Sequence, residues 1–304
     1  HSIGGSAING TLTFGAMAFE ENTGQTFASR NGYSVTVGAT PVQGGNNNST
    51  MTNNLSGGGT LTFNGAFWSN ADATGNRTFT LAGNGNSVIN GSIVATGGSH
   101  SFVKAGTGTL TVTGAASSYT GNTTITGTLS VGNLGAINKA SPTGSILLST
   151  GTLNYTGSND TLNKPLSLTA ATASNAILSN GTGALTVTGN VGAGGVGSKT
   201  LFLGGNNALD NTFSSLLLDN NIGGATNGPT GLTKTGSGTW VLKEPDPAAY
   251  GAATTLNISQ LNPLASTSLL TLSSGTTAGL KVGQTITGSG ISTPTQITGI
   301  IDAT

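Results

Sequence analysis

The chain has no cysteine and very few charges, and both shortages exclude whole classes of protein. Without cysteine it can have no disulfide scaffold, thiolate zinc site or cysteine nucleophile. Nine Lys and Arg residues balance nine Asp and Glu residues, so charged residues make up 6% of 304, against roughly 25% in an average domain. A chain of zero net charge lacks the positive field that gathers phosphates, so we expect no nucleic-acid partner.

Long apolar runs and charged helix formers are also missing. No stretch approaches ~18 consecutive apolar residues, so we expect no transmembrane helix in this segment. Glu and Lys are scarce, whereas Thr, Val and Ile, which favour pleated strands, recur throughout. Gly, Thr, Ser and Asn together supply 166 of the 304 residues. The composition therefore predicts an all-β chain with many turns.

Short segments of strict apolar/polar alternation recur along the chain, each bounded by Gly or Asn-Gly. Thr11–Phe14 recurs as Thr60–Phe63, and residues 108–114 recur as 183–189. This period of two is typical of a half-buried strand between tight turns. Sandwiches, barrels and solenoids all contain such strands, but near-identical units with Thr, Ser and Asn at the polar positions favour a solenoid. Equivalent residues of successive coils stack about 4.8 Å apart, where like charges repel and Thr or Asn can form hydrogen-bonded ladders.

The longest repeat aligns residues 102–112 with 232–242, and a Tyr-containing segment follows each copy. The repeat positions are Lys104, Gly106, Gly108 and Tyr119 in the first copy, and Lys234, Gly236, Gly238 and Tyr250 in the second. This pattern resembles the autotransporter-associated β-strand repeat of bacterial autotransporter passengers and other very large secreted or surface proteins. The first copy matches nearly end to end over 102–132, whereas the second departs after residue 243.

The resemblance implies a right-handed parallel β-solenoid (β-helix) over residues 1–243. Coils of about 20–25 residues, each rising ~4.8 Å, would give ten to twelve coils and a rod of about 50–60 Å. Three prolines then fall close together, and proline interrupts strand ladders, so we expect a linker over 244–268. Residues 269–304 resemble a small β-module of large surface and phage tail proteins, and both termini look cut from a longer polypeptide.

Candidate catalytic and cofactor groups are few, and each has a simpler structural explanation. Residues 192–197 satisfy GxGxxG but precede a strand pattern rather than the helix that a dinucleotide site needs. Two close acid pairs exist, Glu20 with Glu21 and Glu244 with Asp246, as a β-helix carbohydrate enzyme would require. His1 and His100 are the only histidines, too few for a zinc site without cysteine. We therefore expect no enzyme activity, no catalytic residue, no cofactor and no metal.

Two features remain as candidate contacts. Lys104 and Lys234 occupy the same repeat position, which could bind an acidic glycan, but we expect a solvated corner that discourages edge pairing. Phe67 and Trp68 are adjacent and cannot both face inward from a strand, so this pair is the best candidate for a surface contact.

The sequence thus predicts a non-enzymatic structural segment of a large secreted or surface bacterial protein, a stalk, adhesin or extracellular filament. Because a solenoid exposes strand edges at its ends, we expect its partners to be neighbouring segments or other copies of the same protein, assembled end to end or laterally. A glycan- or receptor-binding adhesin or phage-tail module, which would contact a glycan or a host surface, is the alternative. A β-helix carbohydrate-active enzyme is the third and least favoured hypothesis.

Overall fold

Alternating apolar and polar residues form short strands throughout the described part of the chain. The structure is a computed structural model and describes residues 9–15, 17–19, 24–38, 42–43, 48–67, 69–70, 75–95, 97–139, 141, 143–170, 175–219, 228–243, 285–286 and 295–296. The strands up to residue 131 are β1 (Thr11–Phe14), β2 (Ala18–Phe19), β3 (Gly24–Ser29), β4 (Ser34–Val37), β5 (Val42–Gln43), β6 (Ser49–Leu55), β7 (Thr60–Phe63), β8 (Ser69–Asn70), β9 (Thr78–Ala82), β10 (Asn86–Ile89), β11 (Ser101–Lys104), β12 (Thr109–Val112), β13 (Thr123–Ile125) and β14 (Thr128–Val131).

A 3₁₀ turn, Leu134–Ile137, follows β14. The remaining strands are β15 (Ile146–Leu148), β16 (Thr152–Tyr155), β17 (Asp160–Leu162), β18 (Leu166–Leu168), β19 (Asn175–Ser179), β20 (Leu185–Val187), β21 (Val191–Ala193), β22 (Lys199–Gly205), β23 (Asn211–Phe213), β24 (Thr230–Lys234), β25 (Trp240–Leu242), β26 (Thr285–Ile286) and β27 (Thr295–Gln296).

One side of the fold is a ten-stranded parallel sheet in the order β1-β4-β7-β10-β12-β14-β16-β19-β22-β24. Neighbouring strands come from successive coils, so the chain returns to this side once per coil. The coil length varies from 19 residues between the paired Leu110 and Leu129 to 31 between the paired Leu201 and Leu232, a wider range than the sequence predicted.

The other sides of the coil are shorter sheets. An eight-stranded sheet has the order β21-β18-β15-β13-β11-β9-β6-β3, and smaller sheets join β2-β5-β8 and β17-β20-β23-β25. Each described strand pairing in these sheets is parallel and links equivalent strands of successive coils. The predicted parallel β-solenoid is therefore confirmed.

Inward-facing side chains of successive coils stack into columns that form the core. In the ten-stranded sheet Val37, Phe63, Ile89 and Val112 lie in register, and all are fully buried. Burying such a side chain stabilises the fold by about 1.5–3 kcal/mol relative to leaving it exposed. Stability is thus distributed along the stack, coil upon coil.

The chain divides into two compact units, His1–Ala249 and Tyr250–Thr304. In the second unit the described strands β26 and β27 pair antiparallel. The predicted linker and most of the predicted small module lie outside the described residues, so their boundaries stay predictions. Within the described ranges, no helix is long and apolar enough to cross a membrane.

Candidate functional site: lysine-capped corners

The two copies of the sequence repeat each form a corner between two strands of one coil. The first copy joins β11 of the eight-stranded sheet to β12 of the ten-stranded sheet, and the second joins β24 to β25 of the four-stranded sheet. Gly106 and Gly236 turn the chain with φ of 76° and 67°. Glycine adopts this left-handed region without the steric cost that a side chain would add.

The second glycine of the motif is needed for close stacking. A Cβ atom on Gly108 would overlap the carbonyl oxygen of Gly85 in the preceding coil. A Cβ atom on Gly238 would likewise lie 2.6 Å from the carbonyl oxygen of Asn207. The Gly-x-Gly pair therefore provides both the turn and the space for the neighbouring coil.

Lys104 lies in the core with its ammonium folded back onto the corner. It pairs in register with Leu81 on one side and Ile125 on the other, so its aliphatic stem continues an apolar column. The residue is 3% exposed. Its Nζ donates to the carbonyl oxygens of Ala105 at 2.6 Å and Gly106 at 2.9 Å. The lysine thus buries its stem and supplies donors to two corner carbonyls.

Three further lysines cap corners in related ways. Lys234 in the second copy donates to the Thr235 and Gly236 carbonyls at 2.8 Å and 2.7 Å but is exposed. Lys199 is buried and donates to the preceding turn, and Lys164 is buried and donates to carbonyls of the preceding coil. Four of the seven lysines in the chain therefore bind corner carbonyls.

The expectation that the repeat lysines mark solvated edge corners is wrong for Lys104. Its strand β11 is paired on both sides, and burial lowers the pKa of the Lys104 ammonium to about 8. The physical reason is the repeat itself, because stacking places coils above and below the corner. Lys234 lies in the last described strand of the ten-stranded sheet, where its corner stays open to solvent.

Buried asparagines perform a similar task and were not singled out from the sequence. Asn211 is fully buried, and its Nδ2 donates to the carbonyls of Leu209 and Thr239 while its Oδ1 accepts from Ser179 Oγ and Leu185 N. These bonds link three successive coils. A polar residue at an inward position of an alternating strand is the signal that could reveal such a site, as for Asn53 in β6.

The aromatic candidates divide between core and undescribed residues. Phe67 is fully buried, and its ring centroid lies 4.7 Å from that of Phe63 and 4.8 Å from that of Phe79. Phe67 is therefore a core residue, which corrects half of the predicted surface pair. Burying the ring in the aromatic column removes more apolar surface from water than a surface contact would. Trp68 lies outside the described residues.

Tyr119 of the first copy is also a core residue. Its hydroxyl shares a hydrogen bond of 2.6 Å with Thr123 Oγ1, and its carbonyl accepts from Asn138 Nδ2. Burial raises the pKa of the Tyr119 hydroxyl. The tyrosine therefore ties the end of the motif to the 3₁₀ segment of the next coil. Its counterpart Tyr250 lies outside the described residues.

The remaining titratable groups of the described residues do not come together in one site. Asp160 forms an ion pair with Lys139, and although burial raises its pKa, hydrogen bonds from Lys139 and two backbone N–H groups bring the pKa below its usual value. Among the described residues no three His, Asp or Glu side chains are placed to hold a metal ion. The GxGxxG segment leads into strand β22, and both close acid pairs lie outside the described residues.

Comparison with known proteins identifies the corner motif. The family described as Passenger-associated-transport-repeat matches residues 102–131 and 232–257. These two segments contain the Gly-x-Gly corners of Lys104 and Lys234. The chain therefore carries passenger-type repeats on a parallel β-solenoid, as the sequence predicted.

A curated relative extends the similarity well beyond the two repeats. The chain is 36% identical over 206 residues to the adhesin BmaC autotransporter of Brucella suis biovar 1 (strain 1330). The aligned region covers 63% of this chain and 6% of that adhesin. No solved structure matches the chain.

Proposed function

We propose that the chain is a non-enzymatic structural segment of a large secreted or surface-exposed bacterial protein, part of a stalk, an adhesin or an extracellular filament. The buried lysines and asparagines support this proposal, because these polar side chains bind the corner backbone and join successive coils. The similarity to a much longer autotransporter adhesin supports the location. We propose the same role, in a stalk, an adhesin or an extracellular filament, for the whole protein to which the chain belongs.

The observation that carries the proposal is the exposed core at the two ends of the described stack. Leu12 in β1 is 45% exposed, whereas Val35, its register partner in β4, is buried. At the other end Leu242 in β25 is 64% exposed, whereas its partner Phe213 is buried. Inward-facing columns that end in solvent fit a stack that continues into further coils.

The partners we propose are therefore neighbouring segments or further copies of the same protein. The contact at the β1 end would extend the coil-on-coil packing already present between β1 and β4, through Leu12 and Phe14. A Leu12→Lys, Phe14→Lys double variant should weaken concentration-dependent association, measured by light scattering. The matched control Thr11→Lys, Thr13→Lys changes the alternate positions of the same strand. Equal association of both double variants would contradict the end-on contact.

Surface exposure is tested on cells of the source organism. Antibodies raised against the purified chain should label intact cells or the material that they shed. Labelling found only after lysis would contradict the proposed location.

A binding role is the second candidate, because the similar Brucella protein is described as an adhesin. Trp68 remains the predicted contact for a glycan or host surface. A glycan array that binds the chain but not Trp68→Ala would favour this function, and the absence of any binding would count against it.

A further inference from the structure

Asn-Gly pairs are chemically labile, and this fold stacks several of them at its corners. Six such pairs lie within the described residues, beginning at Asn9, Asn31, Asn64, Asn84, Asn90 and Asn180. The glycine backbone nitrogen can attack Cγ of the asparagine, which forms a new C–N bond. The Cγ–Nδ2 bond breaks, and ammonia leaves with the proton of the glycine N–H. Water then opens the resulting succinimide to aspartate or isoaspartate, so no other reactant is needed.

Coil stacking restrains the reacting groups at Asn180. Its Nδ2 donates to Asn154 Oδ1 in the preceding coil at 2.7 Å, and its Oδ1 accepts from the backbone N–H of Asn206 in the next coil at 2.9 Å. The amide is therefore held from both sides. Any rotation of the side chain that brings Cγ onto the Gly181 nitrogen would break these hydrogen bonds.

A different restraint acts at Asn84. The nitrogen of Gly85, which would be the nucleophile, donates to the carbonyl of Asn53 at 2.8 Å. The Asn84 Oδ1 also accepts from Thr107 Oγ1 at 3.0 Å. Here the stack engages the attacking N–H in a hydrogen bond and also anchors the side-chain amide.

We propose that Asn180 and Asn84 are deamidation sites that coil stacking protects. Aspartate or isoaspartate then forms at these positions only after neighbouring coils have separated. Modification then proceeds only through local opening. Each event replaces a neutral amide with a carboxylate in a chain of zero net charge. At Asn180 the product carboxylate could no longer donate to Asn154 Oδ1 and would place an acceptor against an acceptor, so modification would favour further separation of the two coils.

The proposal is tested by incubating the intact chain at mildly alkaline pH, with and without denaturing urea, and measuring both products by peptide mapping and mass spectrometry. Deamidation at Asn180 and Asn84 should be at least about tenfold slower in the folded protein, because it requires opening. Equal rates in the folded and denatured protein would overturn the proposal.

A pair of variants tests whether the hydrogen bond from Asn180 to Asn154 is what restrains Asn180. Asn154→Ala removes the acceptor of Asn180 Nδ2 and should raise the rate at Asn180 several-fold without changing the rate at Asn84. Ser130→Ala removes the other hydrogen bond of Asn154 but leaves its bond to Asn180, and should leave the Asn180 rate unchanged. Equal acceleration by both variants, or a rise at Asn84 as large as that at Asn180, would show that the hydrogen bond to Asn154 is not the restraint.

Discussion

Replacing Lys104 with methionine should alter stability in a way that depends strongly on pH. Methionine keeps an unbranched apolar stem in the column between Leu81 and Ile125 but removes the ammonium. The carbonyls of Ala105 and Gly106 then lose a buried donor, at a cost of about 1–3 kcal/mol each. The same change also removes a charge that is buried with no acidic partner among the described residues.

The size of that second effect follows from the pKa of Lys104. A value of about 8 in the folded chain and about 10.4 in the unfolded chain means that the unfolded state binds more protons between these values. Stability of the wild-type chain therefore rises with pH in this window and gains about 2 kcal/mol between pH 7 and pH 10. Lys104→Met lacks this gain.

We expect the two effects to be of similar size at pH 7, which leaves Lys104→Met within about 2 kcal/mol of wild type. At pH 10 the variant should be less stable than wild type by about 2 kcal/mol more than at pH 7. Urea unfolding followed by circular dichroism at both pH values measures the difference. The window stops at pH 10 because the raised pKa of Tyr119 opposes folding above it.

Lys234→Met is the matched control, since Lys234 makes the same two bonds at an exposed corner. Water can replace its ammonium there, so we expect a change below about 0.5 kcal/mol. The reasoning is refuted if Lys104→Met shows the same stability difference from wild type at both pH values. It is also refuted if Lys234→Met depends on pH as strongly as Lys104→Met.

Two further substitutions test the corners and the buried amides. Gly108→Ala should destabilise the chain by about 1–3 kcal/mol or more in urea unfolding, because its Cβ would overlap the Gly85 carbonyl and force the coils apart. Gly132→Ala, where the nearest atom is 3.8 Å away, should change the stability far less. Asn211→Ala should cost about 3–5 kcal/mol because it leaves several buried groups unpaired. A similar loss for the exposed Asn206→Ala would contradict that explanation.

Much of the fold was predictable because stacking imposes its own composition. Thr, Asn and Ser at the alternating polar positions, with few charges, indicated parallel coils, and the ladders confirm this. Burial was harder to predict from local pattern. Phe67 and Lys104 both looked like surface residues, yet both are buried, because the coils above and below them cover positions that one coil alone would leave open.

The sequence by itself determined the local corner. Lys-x-Gly-x-Gly encodes a left-handed glycine, a close-stacking glycine and a lysine whose ammonium reaches the turn carbonyls, and both copies form this geometry. Only the tertiary structure decided where each corner lies. The first copy connects the eight-stranded sheet to the ten-stranded sheet, whereas the second connects the ten-stranded sheet to the four-stranded sheet.

The physical reason is that a motif fixes its own backbone angles, while its side of the solenoid depends on the lengths of all the coils before it. Because the coils vary from 19 to 31 residues, the spacing between the two copies does not fix the side on which each one lies. The environment of the lysine follows in the same way from its place in the stack. Lys104 is buried because further coils cover it, and Lys234 is exposed at the last described strand of its sheet.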